Sequence, residues 1–223
     1  MCKRVLIVRT DRVGDVVMIT PMIREIRKAF PDAFIATLTQ PNTAQLLLNN
    51  PHLDAIITDD LKKETFWDVV KQLKEYRFTD GILVLPTKRA AWQMFWARIK
   101  NRIGTGRKIY EALTLMKSVS RNNYIPLKHE ADFCMDLARK MGVTTENIQP
   151  EIFVSKEEKD WASDFIKNLG ISENTYRIVL HTGSLNSAPN WSEDRYFELI
   201  QGIINKYPDK DFYRLQVPVI SGL

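Results

Sequence analysis

Short β-branched runs alternate with stretches of helical spacing along this chain, and that alternation limits its fold more than any other feature of the 223 residues. Residues 5–8, Val-Leu-Ile-Val, form a continuous apolar run of strand length. A run with no polar alternation is the pattern of a strand covered on both faces. Residues 10–15 are polar and contain Gly14, which predicts a loop. Val16, Ile19, Met22, Ile23, Ile26 and Phe30 then fall at helical spacing. Pro21 either opens the main helix at its first position, with Thr20 as cap, or kinks a helix that starts nearer Asp15.

The same grammar recurs. Strands are predicted at 34–38, 55–58 and 82–85, and helices at 43–49, 65–76 and 90–103. Strands separated by helices imply a parallel sheet with helices on its faces. The fold class is therefore α/β, a Rossmann-like doubly wound parallel sheet. A further helix over 130–141 ends at Gly142, a residue suited to a helix C-terminus. Pro150 and the charged stretch 156–159 read as an inter-domain connection. After it the pattern restarts with a strand at 178–180, a loop over 181–189, and a helix capped by Ser192 that runs to about Asn205. Residues 211–223 have room for one more strand, whereas a complete second α/β domain needs about 100 or more residues. The expected division is residues 1–155, then a connection and an incomplete second Rossmann-like domain over 156–223.

Charge and cysteine usage exclude several classes. The net charge is +5, which favours anionic partners without choosing among them. Cys2 and Cys134 are too few for a disulfide framework, and the three histidines show no metal-ligand spacing. These features suit a cytoplasmic protein with reduced thiols. The apolar run near the N-terminus is broken by Arg9 and is too short for a signal peptide or a membrane span. Contact with a membrane would be peripheral.

In an open α/β sheet, ligands bind beyond the carboxyl ends of the strands. Asp11, Arg12, Gly14 and Asp15 fall there, after the first strand. Gly14 lets the backbone pass close to a ligand. Asp15 has two readings, an N-cap or a catalytic carboxylate. The loop has one glycine, so it is not a dinucleotide fingerprint. Gly104-Thr-Gly-Arg-Lys108 is superficially phosphate-like but lacks the spacing of a P-loop, and a turn after a short strand explains it equally. The segment 90–103 interleaves Trp92, Phe95 and Trp96 with Arg98, Lys100 and Arg102. Such a helix either packs on the sheet or lies on an anionic membrane. Arg9, Arg12, Lys88, Arg89 and Arg121 fall at loops or strand ends, as an anion-binding edge or as scattered charge. Neither a helix-turn-helix nor an aromatic-basic sheet motif supports nucleic acid as a partner.

Residues 5–15, Val-Leu-Ile-Val-Arg-Thr-Asp-Arg-Val-Gly-Asp, followed by Pro21, resemble the N-terminal signature of glycosyltransferase family 9, which includes the ADP-heptose:lipopolysaccharide heptosyltransferases. Four further segments agree in order: Phe-Pro-Asp-Ala at 30–33, Lys-Asn-Arg-Ile-Gly at 100–104, the helix from His129 to Gly142, and Ile-Val-Leu-His-Thr-Gly-Ser at 178–184 leading to Trp191. Together they span about residues 4–208.

The resemblance implies a GT-B arrangement, with acceptor sugar lipid on the first domain and nucleotide-sugar on the second. It implies an inverting transfer, with ADP-heptose as donor, to a lipopolysaccharide core or similar anionic glycolipid at the cytoplasmic face of the inner membrane. Asp15 would be the general base. Arg9, Arg12, Gly14, Arg89 and Arg121 would bind acceptor, and Thr182, Gly183, Ser184 and Asn190 would bind donor. The nucleotide-sugar is a substrate, and no cofactor or metal is required. Three departures stand against this pattern. The later donor-domain motif is absent, and the final dozen residues do not match the family's next strand. Pro189 and Asn190 precede Trp191 where the family usually carries Lys or Arg. The alternative is a non-catalytic acceptor-binding remnant.

Overall fold

The computed structural model describes residues 2–119, 128–171 and 189–207. The chain divides into two compact units, Met1–Ser155 and Lys156–Leu223.

Among the described residues, the first unit is built on six parallel strands. They are β1 (Arg4–Val8), β2 (Phe34–Thr39), β3 (Ala55–Thr58), β4 (Asp80–Leu83), β5 (Asn101–Gly104) and β6 (Lys117–Ser118), in the spatial order β3-β2-β1-β4-β5-β6. The chain winds outward from β1 to β3, then returns beside β1 and winds the other way. The carboxyl ends of β1 and β4 therefore flank the switch point where such sheets hold ligands.

Residues of β1 alternate between two cores because successive side chains of a strand point to opposite faces. Val5 and Ile7 join one cluster, with Val16, Ile19, Met22, Ile23 and Ile26. Leu6 and Val8 join the other, with Val69, Leu73, Ala90 and Met94. These four β1 side chains are at most 1% exposed. Truncating one of them, as in Ile7→Ala, costs about 2–5 kcal/mol through lost burial and the cavity left behind.

The helices are α1 (Val13–Val17), α2 (Thr20–Ala29), α3 (Pro41–Ala44), α4 (Phe66–Tyr76), α5 (Lys88–Trp96), α6 (Ile109–Leu113) and α7 (Glu130–Arg139). Pro21 does not kink one long helix; two helices meet just before it. Ile19, not Thr20, occupies the cap position of α2. The Thr20 hydroxyl instead donates to the Val17 carbonyl at 2.8 Å and accepts from the Glu151 N–H at 3.0 Å. Thr65 caps α4 through a reciprocal exchange with Asp68.

Two further expectations need correction. The helix predicted over 90–103 ends at Trp96, because Arg98 turns into the left-handed region (φ 63°). The chain then re-enters the sheet as β5, beside β4. Aromatic and aliphatic spacing carried the helical pattern past this break. The charged stretch 156–159, expected as a connection, is helical and forms the start of α8 (Lys156–Asn168), whose acidic first turn suits the helix dipole. The second unit also contains α9 (Glu193–Lys206), which follows Ser192 as expected, although the Ser192 side chain makes no capping bond. The strand expected at 178–180 and the one at 211–223 lie outside the described residues.

Candidate functional site

The loop after β1 carries the candidate chemistry. Its backbone stays attached to the sheet through the Arg9 N–H, which donates to the Leu38 carbonyl at 3.0 Å. The Gln40 amide donates to the Thr10 carbonyl at 2.7 Å and ties this loop to the end of β2. Arg12 sits at the N-cap position of α1, which places Asp15 at the third helical residue. No side chain caps α1. The N-cap reading of Asp15 therefore does not describe this residue.

Arg9 holds Asp15 instead. Its guanidinium donates from Nη2 to Asp15 Oδ1 at 2.8 Å and from Nε to Asp11 Oδ1 at 2.8 Å. Nη1 reaches Glu130 Oε1 at 3.4 Å and the buried Cys134 Sγ at 3.7 Å. Arg9 is 4% exposed. Burial disfavours its cation, but the Asp11 bond and the neighbouring negative groups more than offset that, and its pKa lies above the ordinary value. For Asp11, burial is the largest influence and raises its pKa, with Arg9 opposing. A planar guanidinium suits this work because its fixed fork can serve several carboxylates at once.

Asp15 keeps 36% of its side chain exposed. Fixed through one oxygen, a carboxylate can present its other oxygen as an acceptor to a ligand. A Cβ built on neighbouring Gly14 meets nothing within 4 Å, so the protein itself leaves that backbone open. Arg12 is exposed beside it.

Two of the expected anion contacts are occupied internally. Arg9 supports Asp15 rather than facing solvent. Arg89, in the first turn of α5, forms a forked pair with Asp59, with Nη2 to Oδ1 at 2.7 Å and Nε to Oδ2 at 2.8 Å. Asp59 is 5% exposed and also accepts from Gln93 at 3.0 Å. This pair joins the end of β3 to α5. Lys88 remains exposed at the start of that helix. Arg121, Thr182, Gly183 and Ser184 lie outside the described residues. Asn190 belongs to the second unit, just before α9.

The phosphate-like loop after β5 contains its own anion. Glu111 is 1% exposed. Its carboxylate accepts from the backbone N–H groups of Gly106, Arg107 and Lys108 at 3.2, 3.0 and 3.0 Å. Successive backbone N–H groups of this kind form an anion-binding concavity. Here a side chain of the same chain fills it.

Sequence reasoning missed Glu130, Cys134, Asp59 and Glu111. Glu130 and Cys134 lie 121 and 125 residues from Arg9, and no local pattern announces such a pairing. Glu111 had a local signal, since it stands three residues after Lys108 at the position of a capping-box acid. Among the described residues, no group of His, Cys, Asp and Glu could hold a metal ion, and no helix is long and apolar enough to cross a membrane.

No family profile matches the sequence. A curated Haemophilus influenzae protein described as "Putative glycosyltransferase" is 27% identical over 215 residues, which is 92% of this chain and 61% of that protein. The chain thus spans less than two thirds of the relative's length. Among solved structures, the glycosyl transferase family 9 protein of Veillonella parvula superposes with a TM-score of 0.83 at 20% identity, over 97% of this chain and 63% of its own. The Escherichia coli ADP-heptose LPS heptosyltransferase II gives 0.70 at 18% identity, over 95% of this chain and 63% of its own. An E. coli heptosyltransferase solved with ADP gives 0.64 at 18% identity, over 96% and 67%. The chain is a sequence relative of the Haemophilus protein, and its fold is that of glycosyltransferase family 9.

Proposed function

We propose that this chain carries the acceptor side of an inverting glycosyltransferase of heptosyltransferase type, with Asp15 as the general base. The observation that carries this reading is the Asp15 carboxylate at the sheet's switch point, partly exposed and held through one oxygen by buried Arg9. In the reaction an acceptor hydroxyl attacks the anomeric carbon of a nucleotide-sugar. Its oxygen forms the new glycosidic bond, its proton passes to Asp15, and the bond from the anomeric carbon to the diphosphate breaks. Attack opposite the departing diphosphate inverts the anomeric centre. The transition state has oxocarbenium character, as in glycoside hydrolysis. Negative charge on the leaving diphosphate can be met by helix N-termini and basic side chains without a metal.

Arg12 and Gly14 are assigned to the acceptor together with Arg121. Arg9 and Arg89 act through the carboxylates they hold. Thr182, Gly183, Ser184 and Asn190 are assigned to the donor. ADP-heptose is the proposed donor, because E. coli heptosyltransferases of this fold were solved with ADP and with ADP-2-deoxy-2-fluoro heptose. An anionic glycolipid of lipopolysaccharide-core type, at the cytoplasmic face of the inner membrane, is the proposed acceptor.

A second reading, an acceptor-binding module that does not transfer, is favoured by Pro189 and Asn190 before Trp191, where the family usually carries a cation. Calorimetric titration with ADP and ADP-heptose separates the two. Heat of binding to both, and transfer that falls by about 10²–10⁴ in Asp15→Asn, is the expected outcome. A folded chain that binds neither nucleotide is the non-catalytic module. Transfer at an unchanged rate in Asp15→Asn ends the general-base assignment.

A further inference from the structure

Helix α6 is built inside out. Its polar residue Glu111 is 1% exposed, and Thr114, which follows the helix, is fully buried. Its apolar residues face outward: Ile109 is 81% exposed, Leu113 61%, and Leu115, just beyond the helix, 73%. A surface helix in water ordinarily does the reverse. The inversion is enforced from within. Glu111 is drawn inward by three backbone N–H groups. Tyr110 bonds its hydroxyl to the Pro86 carbonyl and packs on the core. Ile109 and Leu113, four residues apart, must then share the outer face. Leu115 holds φ at 56°, a left-handed conformation that a bulky side chain rarely adopts and that tends to mark functional segments.

The sequence that carries this knob is strongly basic. Residues 81–119 contain eight cations (Lys88, Arg89, Arg98, Lys100, Arg102, Arg107, Lys108, Lys117) and one acid, Glu111. The segment carries +7 against +5 for the whole chain, so the remainder is −2. Of these cations Arg102 is buried and Arg89 is paired with Asp59, whereas Arg107 and Lys108 just before the apolar side chains, Lys117 just after them and Lys88 on the packed neighbour α5 are exposed. This segment forms the β4-β5-β6 end of the sheet. Helix α6 follows the carboxyl end of β5, two strands from β1 and roughly 10 Å from it at the usual strand spacing. It therefore lies at the same edge as Asp15.

We infer that α6 and its basic collar are a docking surface for an anionic lipid bilayer. Exposed aliphatic side chains ringed by lysines match the boundary between acyl chains and acidic headgroups. Nucleic acid would engage the cations but offers little to Ile109, Leu113 and Leu115. A symmetric contact with a second copy would set this cationic surface against itself. The inference rests on this surface alone and does not require the glycosyltransferase reading.

Vesicle flotation of the intact chain tests it. The probes are phosphatidylcholine vesicles and vesicles with about one third phosphatidylglycerol, at low and high salt. The chain should float with the anionic vesicles only, and less at high salt. Ile109→Ser with Leu113→Ser, and separately Lys108→Ser with Lys117→Ser, should each weaken partition about tenfold or more. Every substituted side chain lies on the surface, and circular dichroism should be unchanged. Absence of flotation overturns the inference, as does equal binding to neutral vesicles. It is also overturned if the serine pair at 109 and 113 leaves partition intact, or abolishes a wild-type dimer seen by light scattering instead of vesicle binding. Failure here would leave nucleotide binding and transfer untouched, so the two readings fail separately.

Discussion

Arg9 donates to Asp15 at 2.8 Å from a position almost sealed from solvent, while Asp15 itself remains about one third exposed. The cation is structural and the carboxylate is presented. Arg9→Met should therefore do more than loosen Asp15. It leaves Asp11, Asp15 and Glu130 converging without their shared cation, and losing charge-assisted hydrogen bonds of this kind costs about 1.5–3 kcal/mol. Urea unfolding should show that loss, and Arg9→Lys should recover part of it by restoring the charge without the fork. Equal stability of Arg9→Met and the wild type would refute the role.

Gly14→Ala offers a separate test of the loop. A Cβ there meets no protein atom within 4 Å, and the backbone is not left-handed. The substitution should leave stability unchanged or raise it by about 0.4–1 kcal/mol through a less flexible unfolded chain. It should weaken acceptor binding, because the added methyl group occupies space proposed for the ligand. Thermal unfolding with an acceptor titration reads both effects. A stable variant with full acceptor affinity would remove Gly14 from the site.

Glu111→Ala should expose the concavity that Glu111 fills. The variant should lose roughly 1–3 kcal/mol, because the partly buried N–H groups of Gly106, Arg107 and Lys108 lose their acceptor. Millimolar sulfate or phosphate should then restore part of its melting temperature, since an anion that binds the folded state stabilises it by mass action. The wild type should show no comparable rise. Identical anion responses in the two proteins would mean that the loop is no anion nest.

The carboxyl-terminal part of the first unit predicts a pH response. Arg24, 7% exposed, binds the Glu151 carboxylate at 3.0 Å and the carbonyls of Asn147 and Gln149 at 2.8 and 3.0 Å. His52 lies 3.4 Å from Glu151. Burial lowers the His52 pKa, as do Arg24, Arg27 and Lys28, while Glu151 opposes them. A histidine whose pKa is lowered by folding contributes stability that is complete above its unfolded value of about 6.5 and is lost as pH falls through the folded value. Chemical unfolding should show stability declining as pH drops below about 6.5. His52→Gln should flatten that part of the curve, and a slope unchanged by the substitution would assign it to other groups.

The parallel α/β fold was legible because its signals are local. Residues 5–8 announce a buried strand by continuous apolar character, and the 55–58 strand appears where the sequence places it. Helix α4 begins one residue after Thr65, whose hydroxyl and Asp68 partner stand three apart in sequence. The helix expected over 90–103 misled because Trp92, Phe95, Trp96 and Ile99 keep helical spacing through a region where Arg98 has already left it. Strand β6 was invisible at two residues, too short for any period.

The sequence by itself determined the strand-helix order, the loop that holds Asp15, and the excess of cations over residues 81–119. Each depends on neighbours within a few bonds or turns of one another. Only the tertiary structure decided that Arg9 faces inward to Asp15 and Glu130, that Arg89 is taken by Asp59, and that Glu111 turns into the chain and leaves Ile109 and Leu113 outside. Those outcomes depend on which strands lie side by side and which helix ends meet above them. A buried charge takes the partner that packing brings within hydrogen-bond reach, however far away that partner stands in the chain.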